Sequence, residues 1–178
     1  MTNMGLGGDF ALIGMAESDV GIVPDKSPRE LCVQVTLDAV RDAGLTLEDV
    51  DGLITCNAFA EPIMYHAEAV AEYLGWQPRH CVTVNTGGGT TFMALNMAAA
   101  AIAAGMADTI VVSMADSLRS FMTRDQAMVV QSSSGHPHYE QPYGPTVPAY
   151  YALIARAHMD RYGTTDAQSG AGAFCCRA

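Results

Sequence analysis

The sequence has few basic residues. Lysine and arginine together number 9, against 19 aspartate and glutamate residues, and the formal net charge is -10. So few cations, scattered along the chain, cannot form the basic stripe that follows a nucleic-acid backbone. We therefore expect no nucleic-acid partner, although a local patch can still bind an anion.

The sequence also has no hydrophobic run long enough to cross a bilayer. Its longest apolar stretch, residues 92–107, is mostly alanine and is interrupted by Asn96 and Gly105. A membrane-spanning helix needs about 20 predominantly apolar residues. Residues 1–10 lack the basic start and the apolar core of a signal peptide. We therefore expect a protein that does not associate with membranes.

Disulfide and metal-binding patterns are absent as well. The cysteines are odd in number, and none of their spacings is that of a metal site: Cys32, Cys56, Cys81, Cys175 and Cys176. The adjacent pair at the end cannot form an ordinary structural bridge. His136 and His138 flank a proline in a polar segment without evident partner ligands, so solvated histidines are the simpler interpretation. Reduced thiols and no bound metal are expected, which favours a cytoplasmic protein.

The chain is rich in short apolar runs. Hydrophobic residues make up 49% of its 178 residues and charged residues 16%, which is typical of a full-sized α/β domain with a substantial core. Four apolar runs predict strands, at residues 10–16, 50–56, 80–85 and 109–115. Helical patterns lie between and after them, at residues 27–44, 63–74, 90–104 and 147–162. The first helix has the clearest start, because Ser27 and Glu30 form a capping box around Pro28.

The order of these elements predicts a largely parallel sheet. Strand and helix alternate four times, so helices should cover the faces of the sheet. The third helix, residues 90–104, is apolar around nearly its whole circumference and is expected to be buried on all sides. A buried central helix indicates a layered fold. Residues 116–145 interrupt the pattern with a long polar loop, which is usually functional or mobile.

A set of short motifs in fixed order resembles the N-terminal half of the thiolase superfamily. The match runs from about residue 10 to 168 and lies nearest the sterol-carrier-protein and bacterial lipid-transfer thiolases. Its motifs are IGMAES (13–18), DAGLT (42–46), DVDGL (49–53), AEYLG (71–75), NTGGG (85–89), AIAAGMAD (101–108), PYG (142–144) and RYGTT (161–165).

The resemblance implies one thiolase-like N-terminal domain over residues 1–178, a βαβαβ half of the layered fold. In this family the second half carries the general-base histidine and an acid/base cysteine, and neither has a counterpart here. Residues 169–178 depart from the family where Ser169, Gly170 and Gly172 interrupt an expected helix. Truncation or a frame error is the preferred interpretation of this tail.

The glycine-rich junction after the third strand is the best candidate site. It consists of Asn85, Thr86, Gly87, Gly88 and Gly89, and it places backbone amides and a helix dipole where a thioester oxygen can bind. The alternative is that the glycines only permit a tight turn against a crowded core. The resemblance places the nucleophilic cysteine at Gly87 or Gly88, where glycine cannot form an acyl-enzyme.

Other residues are weaker candidates. Cys56 ends a strand on the usual ligand side of an open sheet, whereas Cys81 lies within a strand and is better explained by packing. His66 and His158 lie on helices and are expected to be surface or satisfied core residues. Tyr143 falls in the family's substrate-covering loop, where a lining role and a simple turn explain it equally well.

The resemblance implies an acyl-CoA-acting protein, similar to acetyl-CoA acyltransferases, that makes or breaks a carbon–carbon bond. The missing cysteine favours retro-aldol cleavage of a steroid-type β-hydroxyacyl-CoA, and a non-catalytic acyl-CoA-binding or scaffolding subunit is the other alternative. The family further implies a homodimer, a possible OB-fold and zinc-ribbon partner, and coenzyme A thioester as substrate with no other cofactor.

Overall fold

The computed structural model describes residues 9–133, 135–144 and 146–175, without the side chains of residues 173 and 174. The chain divides into two compact units, Met1–Met122 and Thr123–Ala178. The first contains α1 (Pro28–Asp42), β1 (Gly52–Thr55), α2 (His66–Tyr73), β2 (His80–Thr83), α3 (Thr90–Ala103), β3 (Ile110–Ser113) and α4 (Leu118–Phe121). The second contains α5 (Arg124–Ser132), α6 (Val147–Tyr162) and α7 (Asp166–Cys175). Short 3-10 turns lie at Leu47–Asp49, Gly87–Gly89 and Gln141–Tyr143.

The first unit is built on a parallel sheet, as the sequence predicts. The strand order is β2-β1-β3, and Gly52 of the central strand pairs with His80 on one side and with Ile110 on the other. Successive side chains of β1 point to opposite faces. Leu53 packs in a cluster with residues of α1 and α2, whereas Ile54 packs in a second cluster with residues of α3. The sheet therefore lies between helices on both faces, in an α/β/α arrangement.

The predicted capping box of α1 is confirmed. Ser27 Oγ accepts a hydrogen bond from Glu30 N at 3.2 Å, and Glu30 Oε2 accepts one from Ser27 N at 2.7 Å. The helix then buries Leu31, Cys32 and Val35 against the sheet. Local capping chemistry and the apolar face of the helix thus agree, and they fix where α1 begins and which side faces inward.

The predicted strand at residues 10–16 is wrong. The segment has no strand pairing among the described residues, and Leu12 is 82% exposed. It is nevertheless held against α1, because Met15 N donates to Asp42 Oδ2 at 2.9 Å. Gly14 lies so close to α1 that a Cβ there would be 2.4 Å from Ala39 O. An apolar run becomes a strand only when a neighbouring strand satisfies its backbone, and no strand of the described sheet pairs with this one.

The prediction that the third helix is buried on all sides is also wrong. Ala94, Ala98 and Ala101 of α3 are buried, whereas Phe92 is 75% exposed and Met93 is 45% exposed. In the described part of the chain the sheet covers only one side of this helix. The hydrophobic pattern correctly predicts a helix, but the amino-acid composition of the helix does not show which of its faces is exposed.

Two further expectations fail in the second half of the sequence. The predicted loop at residues 116–145 contains α4 and α5, and α5 begins with a capping box in which Thr123 Oγ1 accepts from Gln126 N. The tail does not break at Gly170 and Gly172, because α7 continues through both to Cys175. Residues 176–178 of that tail lie outside the described residues. None of the described helices combines the length and apolar sequence needed to cross a bilayer.

Asp51 joins the ends of two neighbouring strands, and replacing it should destabilise the fold. Its carboxylate accepts from Asp108 N and Thr109 N, both at 2.9 Å, and pairs with Arg79 at 2.8 Å. Burial opposes ionisation, but these amides and the arginine outweigh it and hold the pKa of Asp51 below its usual value. We expect Asp51→Ala to lower the free energy of unfolding at pH 7 by about 2 kcal/mol.

The pH dependence of that loss identifies its cause. Because the pKa of Asp51 is lower in the folded state, its stabilisation is fully present above the unfolded value of about 3.9 and disappears as the pH falls below it. Urea unfolding should therefore show the difference between Asp51→Ala and the parent shrinking between pH 5 and about pH 3. Asp38→Ala is the control, since the exposed i,i+3 ion pair with Arg41 is the one side-chain interaction of Asp38 among the described residues. A pH-independent difference would contradict the carboxylate's role.

Candidate functional site

The candidate site is the turn that joins β2 to α3. Its residues 85–89 are all exposed, and they stand between buried Val84 and buried Thr90. Thr90 Oγ1 donates to Gly87 O at 2.6 Å and accepts from Thr86 N at 2.9 Å. The structure thus brings the five predicted turn residues together and adds Thr90 as the side chain that fixes their shape. Its position at the first residue after the three glycines was the available sequence signal.

The glycines of this turn are not explained by crowding. A Cβ placed at Gly87, Gly88 or Gly89 would have no neighbouring atom within 4 Å. Only Gly87 has a left-handed backbone, with φ of 68°, while Gly89 has φ of -87°. Crowding therefore does not explain these glycines, whereas the left-handed backbone of Gly87 agrees with a tight turn. The backbone conformation of Gly88 and Gly89 does not require glycine. The absence of side chains at these two positions leaves the backbone open to an approaching ligand.

The turn lies at an anion-binding position of the fold. The amides of the first turn of a helix have no partner within the helix, and the helix dipole places partial positive charge there. Helix α3 has 14 residues, so its dipole is fully developed. An anionic or strongly polarised oxygen that approaches Gly88 and Gly89 would meet backbone N–H groups without any side chain in between.

Cys56 lies at the same edge of the sheet, as expected. All strands are parallel, so their carboxyl ends meet there, and the chain connections reverse direction between β1 and β3. Cys56 follows β1, and Asp116 follows β3. Burial and the charge of Asp116 raise the pKa of the Cys56 thiol, while a hydrogen bond with Thr90 opposes the rise. The thiol is therefore protonated near neutral pH and is not an activated nucleophile.

Asp116 orders the loop that follows β1. Its carboxylate accepts from Phe59 N at 2.7 Å and from Ala60 N at 3.3 Å. The same loop is held by an ion pair between Glu61 and Arg29 of α1. Sequence reasoning missed Asp116, although an aspartate directly after the predicted strand of residues 109–115 is a recognisable signal for this edge of a sheet.

Buried polar side chains lie beneath this edge. His66 is 1% exposed, and its Nδ1 lies 3.0 Å from Thr55 Oγ1. Its Nε2 has no hydrogen-bond partner among the described residues, and burial lowers the pKa of the ring, so it is neutral. Cys32 Sγ lies 3.1 Å from Ser113 Oγ, and burial raises its pKa to about 11. These groups belong to the core, but the unpartnered Nε2 shows that His66 is not the satisfied core residue that was expected from the sequence.

The remaining candidates lack suitable chemistry or belong to the second unit. Cys81 packs partly buried against the core, and burial raises its pKa to about 11, which agrees with a packing role. His136, His138 and His158 are exposed, and the described residues contain no group of three or more potential metal ligands. Tyr143 belongs to the second unit and is 85% exposed, so its lining role stays a prediction.

Comparison with known proteins gives a consistent set of relatives, although no family model matches the sequence. The chain is 27% identical over 163 residues to an acetyl-CoA acetyltransferase of Methanothermobacter thermautotrophicus, covering 90% of this chain and 42% of the relative. It is 31% identical over 174 residues to a 17-hydroxy-3-oxo-4-pregnene-20-carboxyl-CoA lyase of Mycobacterium tuberculosis, covering 93% and 44%. The chain thus spans less than half the length of these relatives.

A solved structure agrees with these relatives. The Ltp2-ChsH2(DUF35) aldolase is 30% identical, with a TM-score of 0.61, and the match covers 79% of this chain and 35% of the aldolase chain. Together with the sequence relatives, this match supports a thiolase-like relationship for this chain, whose α/β fold is thiolase-like.

Proposed function

We propose that this chain is the N-terminal half of a thiolase-like protein that acts on an acyl-CoA thioester at a carbon–carbon bond. The observation that carries the proposal is the exposed turn at Gly88 and Gly89, which opens the start of α3 to a ligand without a conformational need for glycine. The named activities of the relatives, acetyl transfer to acetyl-CoA and lysis of a carboxyl-CoA compound, support an acyl-CoA substrate.

The chemistry of the turn favours retro-aldol cleavage over Claisen condensation. An acyl-enzyme requires a thiol at the turn, and Gly87 and Gly88 have none. Retro-aldol cleavage instead requires a base that removes the β-hydroxyl proton of the substrate. The Cα–Cβ bond then breaks, a carbonyl compound leaves, and the electron pair moves onto the thioester oxygen before the enolate is protonated. Backbone amides at the start of α3 would stabilise that negative oxygen.

A non-catalytic acyl-CoA-binding or scaffolding subunit is the second candidate. The observation that favours it is the state of Cys56, whose raised pKa leaves no activated thiol beside the turn. In the primary proposal, the general base belongs to a second half beyond these 178 residues. A homodimer, an OB-fold and zinc-ribbon partner, and a cytoplasmic location complete the proposal, with coenzyme A thioester as substrate and no other cofactor.

Ligand binding by variants of the turn tests the proposal. We expect isothermal titration to show acetyl-CoA binding to the parent and at least about tenfold weaker binding to Gly89→Leu, because the side chain covers the amides. The φ of -87° at Gly89 is acceptable for leucine, so the fold should persist. Ala100→Leu is the matched control, since it adds the same side chain to an exposed position of α3.

The outcomes separate the two candidate functions. Equal affinities of the parent and Gly89→Leu, or no binding by either, would contradict a site at the turn. For the protein encoded by the whole natural gene, release of a ketone or aldehyde from a β-hydroxyacyl-CoA supports retro-aldol cleavage. Binding at the turn without any turnover favours the non-catalytic subunit.

A further inference from the structure

Thr90 holds the backbone carbonyl of Gly87 with two groups. Its Oγ1 donates to Gly87 O at 2.6 Å, and its backbone N–H donates to the same oxygen. Thr90 is only 4% exposed, whereas Gly87 lies in the exposed turn. The carbonyl oxygen of an exposed residue is therefore directed towards a buried one.

The direction of this carbonyl sets the direction of the next amide. The described residues contain no cis peptide bond, so the peptide between Gly87 and Gly88 is trans. In a planar trans peptide, the C=O group and the following N–H group point in opposite directions. Because Gly87 O points towards Thr90, the N–H of Gly88 points away from Thr90. The surroundings of Gly88 are open, since a Cβ there would meet no atom within 4 Å.

The two amides before Gly88 are already engaged within the turn. Thr86 N donates to Thr90 Oγ1 at 2.9 Å, and Gly87 N donates to Asn85 Oδ1 at 3.4 Å. The amide of Gly88 comes next along the chain and is directed away from Thr90. It precedes α3, whose dipole favours negative charge at this end of the helix.

The peptide between Gly87 and Gly88 has two opposite orientations available to it. Neither residue has a Cβ, so glycine's wide backbone range lets the peptide plane turn over. In the reversed orientation Gly87 O would face the open side of the turn, where an acceptor would repel an anionic oxygen. Reversal breaks the hydrogen bond from Thr90 Oγ1 to Gly87 O. The hydroxyl of Thr90 therefore favours the orientation that presents the N–H of Gly88.

We propose that Thr90 is a positioning residue that keeps the Gly88 amide directed at the thioester oxygen of a bound acyl-CoA. The ligand in this assignment rests on the function proposed above, whereas the orientation of the amide depends only on the hydrogen bonds of Thr90. Thr90 acts through the Gly87–Gly88 peptide and does not touch the substrate. The role requires the hydroxyl and not the bulk of the side chain, so serine can replace threonine and valine cannot.

Variants of Thr90 separate the hydroxyl from the shape of the side chain. Thr90→Val has nearly the same shape without a hydroxyl, and Thr90→Ser keeps the hydroxyl. We expect isothermal titration to show about fivefold weaker acetyl-CoA binding by Thr90→Val than by the parent or Thr90→Ser, because one hydrogen bond no longer favours the binding orientation. Thr36→Val is the matched control, since it removes another buried hydroxyl, which donates to Cys32 O at 2.7 Å, and should bind as the parent does.

A cysteine at Gly88 gives a second readout that does not involve acyl-CoA. In Gly88→Cys with Cys175 and Cys176 replaced by serine, alkylation by iodoacetamide reports the thiolate fraction of the new thiol. We expect the addition of Thr90→Val to lower that fraction at pH 7 at least about threefold, because Gly87 O can then turn towards the thiolate. The addition of Thr90→Ser should leave the fraction unchanged.

The outcomes distinguish this proposal from the proposed function. An unchanged thiolate fraction with Thr90→Val, or an equal fall with Thr90→Val and Thr90→Ser, would overturn the role of the hydroxyl. Equal acetyl-CoA affinities of the parent and Thr90→Val would also overturn it, and Gly89→Leu would still test the proposed function. If the thiolate fraction falls only with Thr90→Val but the parent binds no acetyl-CoA, Thr90 orients the amide and the assigned ligand is wrong. Thr90→Ala replaces Thr90→Val in both measurements if urea unfolding shows that the valine variant does not fold.

Discussion

Replacing Leu53 with alanine is expected to lower the free energy of unfolding by about 3 kcal/mol. Leu53 is fully buried on the central strand β1, where it packs in one cluster with Cys32 of α1 and Val70 of α2. Truncation removes apolar contacts with both helices at once and leaves a cavity in the middle of the sheet. Because small domains have only about 5–15 kcal/mol of stability, this loss is a large fraction of the total.

Urea unfolding followed by circular dichroism measures the loss. A fall in the midpoint with an unchanged slope would show that stability changed and the compactness of the unfolded state did not. The control is Ile22→Ala, since Ile22 is 61% exposed and its truncation should cost less than about 0.5 kcal/mol. Similar losses in the two variants would contradict the assignment of Leu53 to the core.

Elements with local signals could be predicted from the sequence. Helix α1 carries its own start at Ser27 and Glu30, and the apolar runs of β1, β2 and β3 are bounded by turn residues. Two helix starts were missed although their signals are present. Thr123 with Gln126 and Thr165 with Gln168 both have the spacing of a capping box, and both make reciprocal hydrogen bonds.

The predictions that were wrong concern features that depend on contacts between distant parts of the chain. Residues 10–16 have the composition of a strand, but pairing requires a neighbour that the local pattern does not specify. The open face of α3 has the same cause, since its alanine-rich sequence is compatible with burial on either side. Near the site, the sequence correctly located the turn. It did not reveal Asp116 as the organiser of the adjacent loop, because that role arises from a contact between distant parts of the chain. Thr90 was also missed, although its hydrogen bonds with Thr86 and Gly87 are local.

A cysteine placed at Gly88 should become the most reactive thiol of the protein once Cys175 and Cys176 are replaced by serine. Gly88 is the better host, because the φ of 68° at Gly87 would strain any side chain by about 1–2 kcal/mol. The start of α3 should lower the new thiol's pKa from about 8.5 to about 7.5, which raises its thiolate fraction at pH 7 about eightfold. The native thiols Cys32 and Cys81 stay unreactive, since burial raises the pKa of each to about 11.

Alkylation by iodoacetamide, measured across pH by mass spectrometry, reads this pKa directly. Ala100→Cys in the same background is the matched control, because it places an exposed thiol on α3 away from the helix start. Coincident pH profiles for Gly88→Cys and Ala100→Cys would show that the turn has no electrostatic effect. A lower pKa at Gly88 would show that the turn stabilises negative charge although its sequence has no thiol. Negative charge develops on the thioester oxygen when a carbon–carbon bond breaks, and it requires this stabilisation. Backbone amides can supply the stabilisation without covalent catalysis.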